Sequence, residues 1–383
     1  MLVQRIFLSP PFIFAIIWIL MLSISMLNIS YSFSDEVDVL IFIATLSFLG
    51  YFLGYFSLLL FTNKYKSPIR YKNIIHKIDI KKLQGALLAS VFFICSILII
   101  NFYLDGYPPF FSNLGVETKN YVEYGRMKGV LFALIVFLFL ISSLFKTKTV
   151  DVLIKLFCFG VLVLYLSRGF VIFTLLSWLF FYLFENKKTI SLLKLIFMIT
   201  CAFIFILILM SVAGEYRTGT ASFIKALEIK DSFLDLDPEI LWLVSYISMP
   251  TINIVELVQY QQYFMGKATV NAMLPGFMNF DSESREFYAS ILPNEHNTAG
   301  TYLKNVVLDF GILGILIYNY LIGIFSYLLF KYSSSSLIKS VFLAELSLLF
   351  FADFFLFFPT LFLLFVLILF NKYAFYPINT ALN

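Results

Sequence analysis

The stretch IFMITCAFIFILILM, residues 196–210, is apolar on every face, and runs of the same character recur along the whole chain. An apolar run of about 20 residues matches the hydrocarbon thickness of a bilayer, where only segments that satisfy their own backbone hydrogen bonds persist. A transmembrane β-barrel would instead show segments of about 10 residues alternating apolar and polar. The expected fold class is therefore all-α, a polytopic integral membrane protein. Composition agrees, with 61% hydrophobic and 13% charged residues, whereas a soluble domain carries about 25% charged residues. A single membrane domain over residues 1–383 follows, with no large soluble core.

Apolar runs place spans near 10–29, 38–61, 83–104, 129–145, 151–166, 170–184, 190–213 and 303–330. The first is long enough to remain as a span and lacks a small-residue cleavage site. A final run, 341–371, is interrupted by Asp353 and Pro359 and reads as a hairpin of two short helices, which brings the expectation to about ten transmembrane helices. With the N-terminus inside, Lys64, Lys66, Arg70, Lys72, Lys77, Lys81 and Lys82, then Lys146 and Lys148, Lys187 and Lys188, and Lys331 and Lys339 all fall on cytoplasmic loops. Two segments are then left on the outer face: a smaller loop, 105–128, and a large one, 214–299. Within the large loop, 240–258 is apolar but carries Pro250 and Glu256, and it is expected to lie at or dip into the interface. Cys95, Cys158 and Cys201 all fall in apolar runs, where a thiol behaves as a small hydrophobe.

Charge is scarce, so its position is informative. Glu345 lies inside an apolar run, and intramembrane carboxylates usually face a cavity or a partner. Arg168, in YLSRGF, sits at the apex between two short spans, where its fork of donors suits a phosphate. Arg217, in GEYRTGT, follows a span at the same depth, and Arg126 and Arg285 lie on the two outer loops. Convergence of these arginines at one membrane face suggests an anionic ligand carried by a lipid. One of only two histidines, His296, lies in ILPNEHNTAGTYL on the same face. With an ordinary pKa of about 6.5, an imidazole there is able to accept a proton from a hydroxyl; Glu295 or Asn297 is a candidate to orient it. His76, in the basic inner loop, reads as a solvated residue. The pair Asp235 and Asp237 has the spacing of a cation site, but it also reads as acidic residues at a helix start opened by Pro238. No metal and no cofactor is expected.

The stretch HNTAGTYLKNVVLDFGILG, residues 296–314, resembles the signature of bacterial O-antigen polymerases of the Wzy type and the related O-antigen ligases. DGYPPFFSNLGVETKNYVEYGRMKG, 105–129, resembles the outer loop of oligosaccharide repeat-unit polymerases, and LSRGF, 166–170, matches the family's short-span arginine. The resemblance implies polymerisation of undecaprenyl-pyrophosphate-linked oligosaccharide repeats at the periplasmic face of the inner membrane. It also implies a separate chain-length regulator and a flippase as partners. On that reading His296 activates the acceptor and Arg168 and Arg217 hold the pyrophosphate, with Arg126, Arg285 and Glu295 binding substrate. Tyr246, Tyr260 and Tyr263 are candidates to stack on sugars. Two alternatives use the same outer charges: a ligase transferring glycan to lipid A core, and a transporter or flippase of lipid-linked glycans. The latter is expected to show internal symmetry or broken midplane helices, and the sequence displays neither.

Overall fold

The computed structural model describes residues 8–31, 37–64, 76–108, 110–111, 127–145, 147–186, 223–225, 227–260, 262–275, 278, 282–292 and 300–377, with scattered positions between 191 and 219. Among the described residues the regular elements are helices, apart from two three-residue strands. In chain order they form α1 (Pro10–Ser25), α2 (Val37–Lys64), β1 (His76–Ile78), α3 (Ile80–Asp105), α4 (Lys128–Ser142), α5 (Lys148–Leu164) and α6 (Arg168–Glu185). There follow α7 (Pro238–Gln259), α8 (Lys267–Met273), α9 (Glu283–Ile291), α10 (Lys304–Tyr332), α11 (Ser336–Ser347), α12 (Phe358–Ala374) and β2 (Phe375–Pro377). Local sequence sets several of the starts. Proline opens α1, α7 and α12, where its missing N–H costs nothing. Asp79 caps α3 by accepting from the amides of Lys81 and Lys82.

The expectation of about ten spans is corrected here. Among the described residues, five helices are long and apolar enough to cross a membrane: Val37–Leu60, Ile80–Leu104, Arg168–Glu185, Pro238–Gln259 and Lys304–Tyr332. For five of the expected spans the reason is helix length, and the run 190–213 lies largely outside the described residues. Apolar runs at 10–29, 129–145 and 151–166 fold into helices of 16, 15 and 17 residues, and 341–371 divides into helices of 12 and 17 residues. At 1.5 Å per residue these span about 18–26 Å, short of a hydrocarbon core of about 30 Å. Apolar composition in these runs reflects burial among other helices as much as contact with lipid. Long apolar helices of this kind are those of a multi-pass membrane protein. The segment read as interfacial, 240–258, lies within α7, where 78% of the apolar window is buried in the bundle, against 22% for Ile80–Leu104.

Among the described residues two large apolar cores share the bundle, beside a small cluster at Leu179 and Leu183. One surrounds α4, whose residues from Leu131 to Ser142 are all buried, as befits a helix that is apolar on every face. The other gathers α1, α2, α7, α10 and α11. Its central seam is the packing of α2 on α10, where glycines allow the backbones to touch. A Cβ on Gly54 would lie 2.1 Å from the Tyr320 carbonyl oxygen, and one on Gly50 would lie 2.6 Å from that of Leu316. From the other side, a Cβ on Gly323 would meet the Tyr51 carbonyl oxygen at 2.2 Å. Gly50 and Gly54 are four residues apart and so share one helix face, the arrangement through which apolar helices associate closely in lipid. A buried polar chain locks this core: Trp18 Nε1 donates to the Tyr302 hydroxyl at 3.1 Å, which donates to Asn319 Oδ1 at 2.7 Å. At the far end of the bundle β1 and β2 pair antiparallel, with Lys77 opposite Tyr376.

Candidate functional site

A cavity of about 650 Å³ opens where four helices begin. Lys128 and Gly129 of α4, Ser167 and Phe170 at the start of α6, Lys304 and Asn305 of α10, and Phe358 and Pro359 of α12 all line it. The segment between α11 and α12 supplies Phe351 and Asp353, and α8 and α9 close the wall with Asn271, Ser284 and Arg285. Close packing fixes this convergence. A Cβ on Gly169 would lie 2.6 Å from the Phe351 ring, and one on Gly129 would lie 3.0 Å from the Pro359 side chain.

The cavity is cationic in an unusual way. Lys128 is the first residue of α4, Arg168 the first of α6 and Lys304 the first of α10. A helix N-terminus already carries partial positive charge, which disfavours a cation there by about 0.3–1 kcal/mol. Arg285, exposed at the rim on α9, lies within electrostatic reach of Lys304 and adds to the repulsion. Lys304 has no carboxylate within ion-pair distance among the described residues; its ammonium lies 4.0 Å from the centroid of the Tyr288 ring. Burial pushes the Tyr288 phenol above its ordinary value, against the opposing hydrogen bond of Asn253, so this ring is neutral. Tyr302 is likewise raised by burial, with hydrogen bonds from its neighbours working against it. Gly300 makes room for the lysine stem, because a Cβ there would lie 2.7 Å from Lys304 Cδ.

The only carboxylate lining the cavity among the described residues is Asp353. Its Oδ1 accepts from the Tyr318 hydroxyl at 2.8 Å and from the Leu356 amide at 3.2 Å. Glu345 lies buried on α11, and neither of its carboxylate oxygens has a hydrogen-bond partner among the described residues.

Of the residues singled out from sequence, Arg285 lines the cavity and Arg168 stands beside it. The Arg168 guanidinium lies over the rings of Tyr246, at 4.9 Å, and Trp242, at 5.7 Å, while its neighbours Ser167 and Phe170 face the cavity. His296, Glu295, Arg217 and Arg126 lie outside the described residues. Tyr260 sits edge-on to Phe287, and the Tyr263 ring lies against Gly311. Asp235 and Asp237 are exposed just before α7, and no group of three or more potential metal ligands occurs among the described residues. Sequence reasoning passed over Lys128, Lys304 and Asn305. The available signal was electrostatic: each lysine opens an apolar helix at the end where a cation is least welcome.

The described part of the HNTAGTYLKNVVLDFGILG stretch is largely architectural. Tyr302 and Leu303 are buried in the α1–α10 core. Asp309 is buried and caps α8, accepting from the amides of Ala268 at 3.0 Å and Thr269 at 2.7 Å. Gly311, with φ 58° and ψ −142°, breaks α10 just beyond. No family model, curated protein or solved structure matches the chain.

Proposed function

We propose that this protein is a membrane glycosyltransferase that polymerises undecaprenyl-pyrophosphate-linked oligosaccharide repeats at the outer face of a bacterial inner membrane. The observation that carries the reading is the placement of three cations on the first residues of three helices that begin at one cavity. Cations in those positions repel the helix ends and one another, and a polyanionic ligand turns that repulsion into binding. A pyrophosphate carried on a lipid is such a ligand, and it reaches a cavity in a bundle of apolar helices from the side. Its departure from an anomeric carbon needs stabilisation of the developing charge, which Lys128, Lys304, Arg285 and Arg168 supply. Lys331, in the last turn of α10, and Lys339, in the first turns of α11, lie at the other end of the bundle and support an outward-facing cavity under the positive-inside rule. His296 is the base in the reading drawn from sequence.

The test is the surface-glycan ladder of a deletion strain complemented with wild type, Lys304→Ala, Lys128→Ala or the double variant. Loss of polymer with single repeats still displayed supports a polymerase. Loss of even the single repeat points to a ligase or a flippase, and full ladders from a normally expressed double variant remove the cavity from the activity.

A further inference from the structure

The geometry points to Asp353 as the general base that takes the proton from the acceptor hydroxyl; the inference rests on the glycosyl-transfer reading above and names a residue within its site. Among the described residues lining the cavity, Asp353 is the only one with a carboxylate, and it lines the same cavity as the cations that would hold the leaving group. It is held by Oδ1, which the Tyr318 hydroxyl and the Leu356 amide both donate to. Its other oxygen, Oδ2, is buried and makes no hydrogen bond of ordinary geometry among the described residues, although the Asn305 side chain, which also lines the cavity, and the Phe355 amide are near enough to favour the ionised carboxyl. A side chain fixed through one oxygen, with the second left for a ligand hydroxyl, is the arrangement a general base needs.

The step balances with the groups present. The acceptor O–H passes its proton to Asp353 Oδ2, and the freed oxygen lone pair forms the new bond to the donor anomeric carbon. The bond from that carbon to the phosphate oxygen breaks, and its electron pair leaves with the lipid pyrophosphate among Lys128, Lys304 and Arg285. The proton then passes from Asp353 to the departing pyrophosphate or to water.

Asp353 lies in the segment between α11 and α12, outside the five candidate spans. Burial raises its carboxyl to about 7, while the Tyr318 hydrogen bond works in the other direction. The titratable groups that act on it are Tyr318 of α10, Tyr302 just before α10 and Glu345 of α11, and the cations Lys128, Lys304 and Arg285 line the same cavity. A raised carboxyl is ionised above its folded value, so basic function is present above about pH 7 and is lost as pH falls through it. Replacing Tyr318 by phenylalanine removes a hydrogen bond to the ionised form and raises the carboxyl further.

The experiment measures initial polymerisation rates against pH, with purified full-length variants added to membrane vesicles from the deletion strain that hold its accumulated lipid-linked repeats. Asp353→Asn is expected to lower kcat by at least about 100-fold with KM unchanged. Asp353→Glu should recover part of the rate, and Tyr318→Phe should move the acid limb to higher pH. Should Asp353→Asn fail to fold, the Tyr318→Phe limb and the Asp353→Glu rate decide alone. An Asp353→Asn variant near wild-type rate overturns the inference, as does an acid limb that Tyr318→Phe leaves in place and His296→Asn abolishes. If the Lys128→Ala, Lys304→Ala double variant is inactive while Asp353→Asn is active, only the base assignment fails. If all are active, the reading of the cavity fails with it.

Discussion

The two halves of α10 solve opposite problems with one helix. Beyond Gly311 its face is pressed against α2 until carbonyl oxygens occupy the places that side chains would take, at Gly50, Gly54 and Gly323. Before Gly311 the same helix presents Lys304, Asn305 and Leu308 to a cavity of about 650 Å³ and turns Asp309 aside to cap α8. The seam gains stability by excluding everything, including Cβ atoms. The cavity keeps space and like charges together, at a cost in stability that the seam is able to carry. The Gly311 break separates the two, so the cavity half is not obliged to follow the direction set by the seam.

The seam should be the easiest part to break. Leucine at Gly54 puts a whole side chain where Tyr320 backbone stands at 2.1 Å, and backbone on both helices has nowhere to move. We expect a loss of about 3 kcal/mol or more, read as a large drop in Tm in detergent or as failure to accumulate. A comparable stability for Gly54→Leu would mean that the seam is not the anchor of this core. The junction should be next. Alanine at Gly311 carries a left-handed backbone cost of about 1–2 kcal/mol and sets a methyl 2.6 Å from the Tyr263 ring. A Tm loss smaller than that of Gly54→Leu, with the proposed polymerising activity also reduced, would locate the effect at the join between seam and cavity.

The positions of many helices were legible in the sequence, whereas the glycine seam and most of the cavity were not. Apolar runs marked where the helices lie, and the break near Asp353 and Pro359 was visible because a charge and a proline interrupt a long apolar stretch. Helix length was not legible: a residue such as Leu138, buried against other helices, looks in the sequence like Leu88, which is exposed on the bundle surface. That ambiguity produced ten expected spans where, among the described residues, five helices are long enough. At the site, Arg168 and Arg285 stood out as rare charges, whereas Lys304 was hidden beside a motif that drew attention to His296. Its meaning depends on being the first residue of a helix and on facing Lys128 across a cavity, and neither is a property of the local sequence.

Asp309→Ala should affect the comparison less than either glycine change. It removes the acceptor for the Ala268 and Thr269 amides, a helix cap with a typical value of about 1 kcal/mol. Amide exchange is expected to rise in α8 first and to leave the α2–α10 seam unchanged. Exchange rising equally across the seam would mean that the two halves of α10 are not separated at Gly311.

The smallest change in stability should come from Lys304→Gln, and its sign is the sharper test. If Lys304 serves the fold, removing its charge loses the contact with the Tyr288 ring at 4.0 Å and lowers Tm. If it serves a ligand, removal relieves the repulsion from the α10 N-terminus and from Arg285, which contributes about 0.3–1 kcal/mol at a helix end. The cation–ring contact offsets part of this, while the burial of the ammonium, the larger cost on its charge, is relieved as well. On the proposed reading Tm should therefore stay level or rise while polymer is lost. An unchanged fold with a lost activity separates this lysine from the seam a few turns away, where every substitution that removes activity should remove stability first.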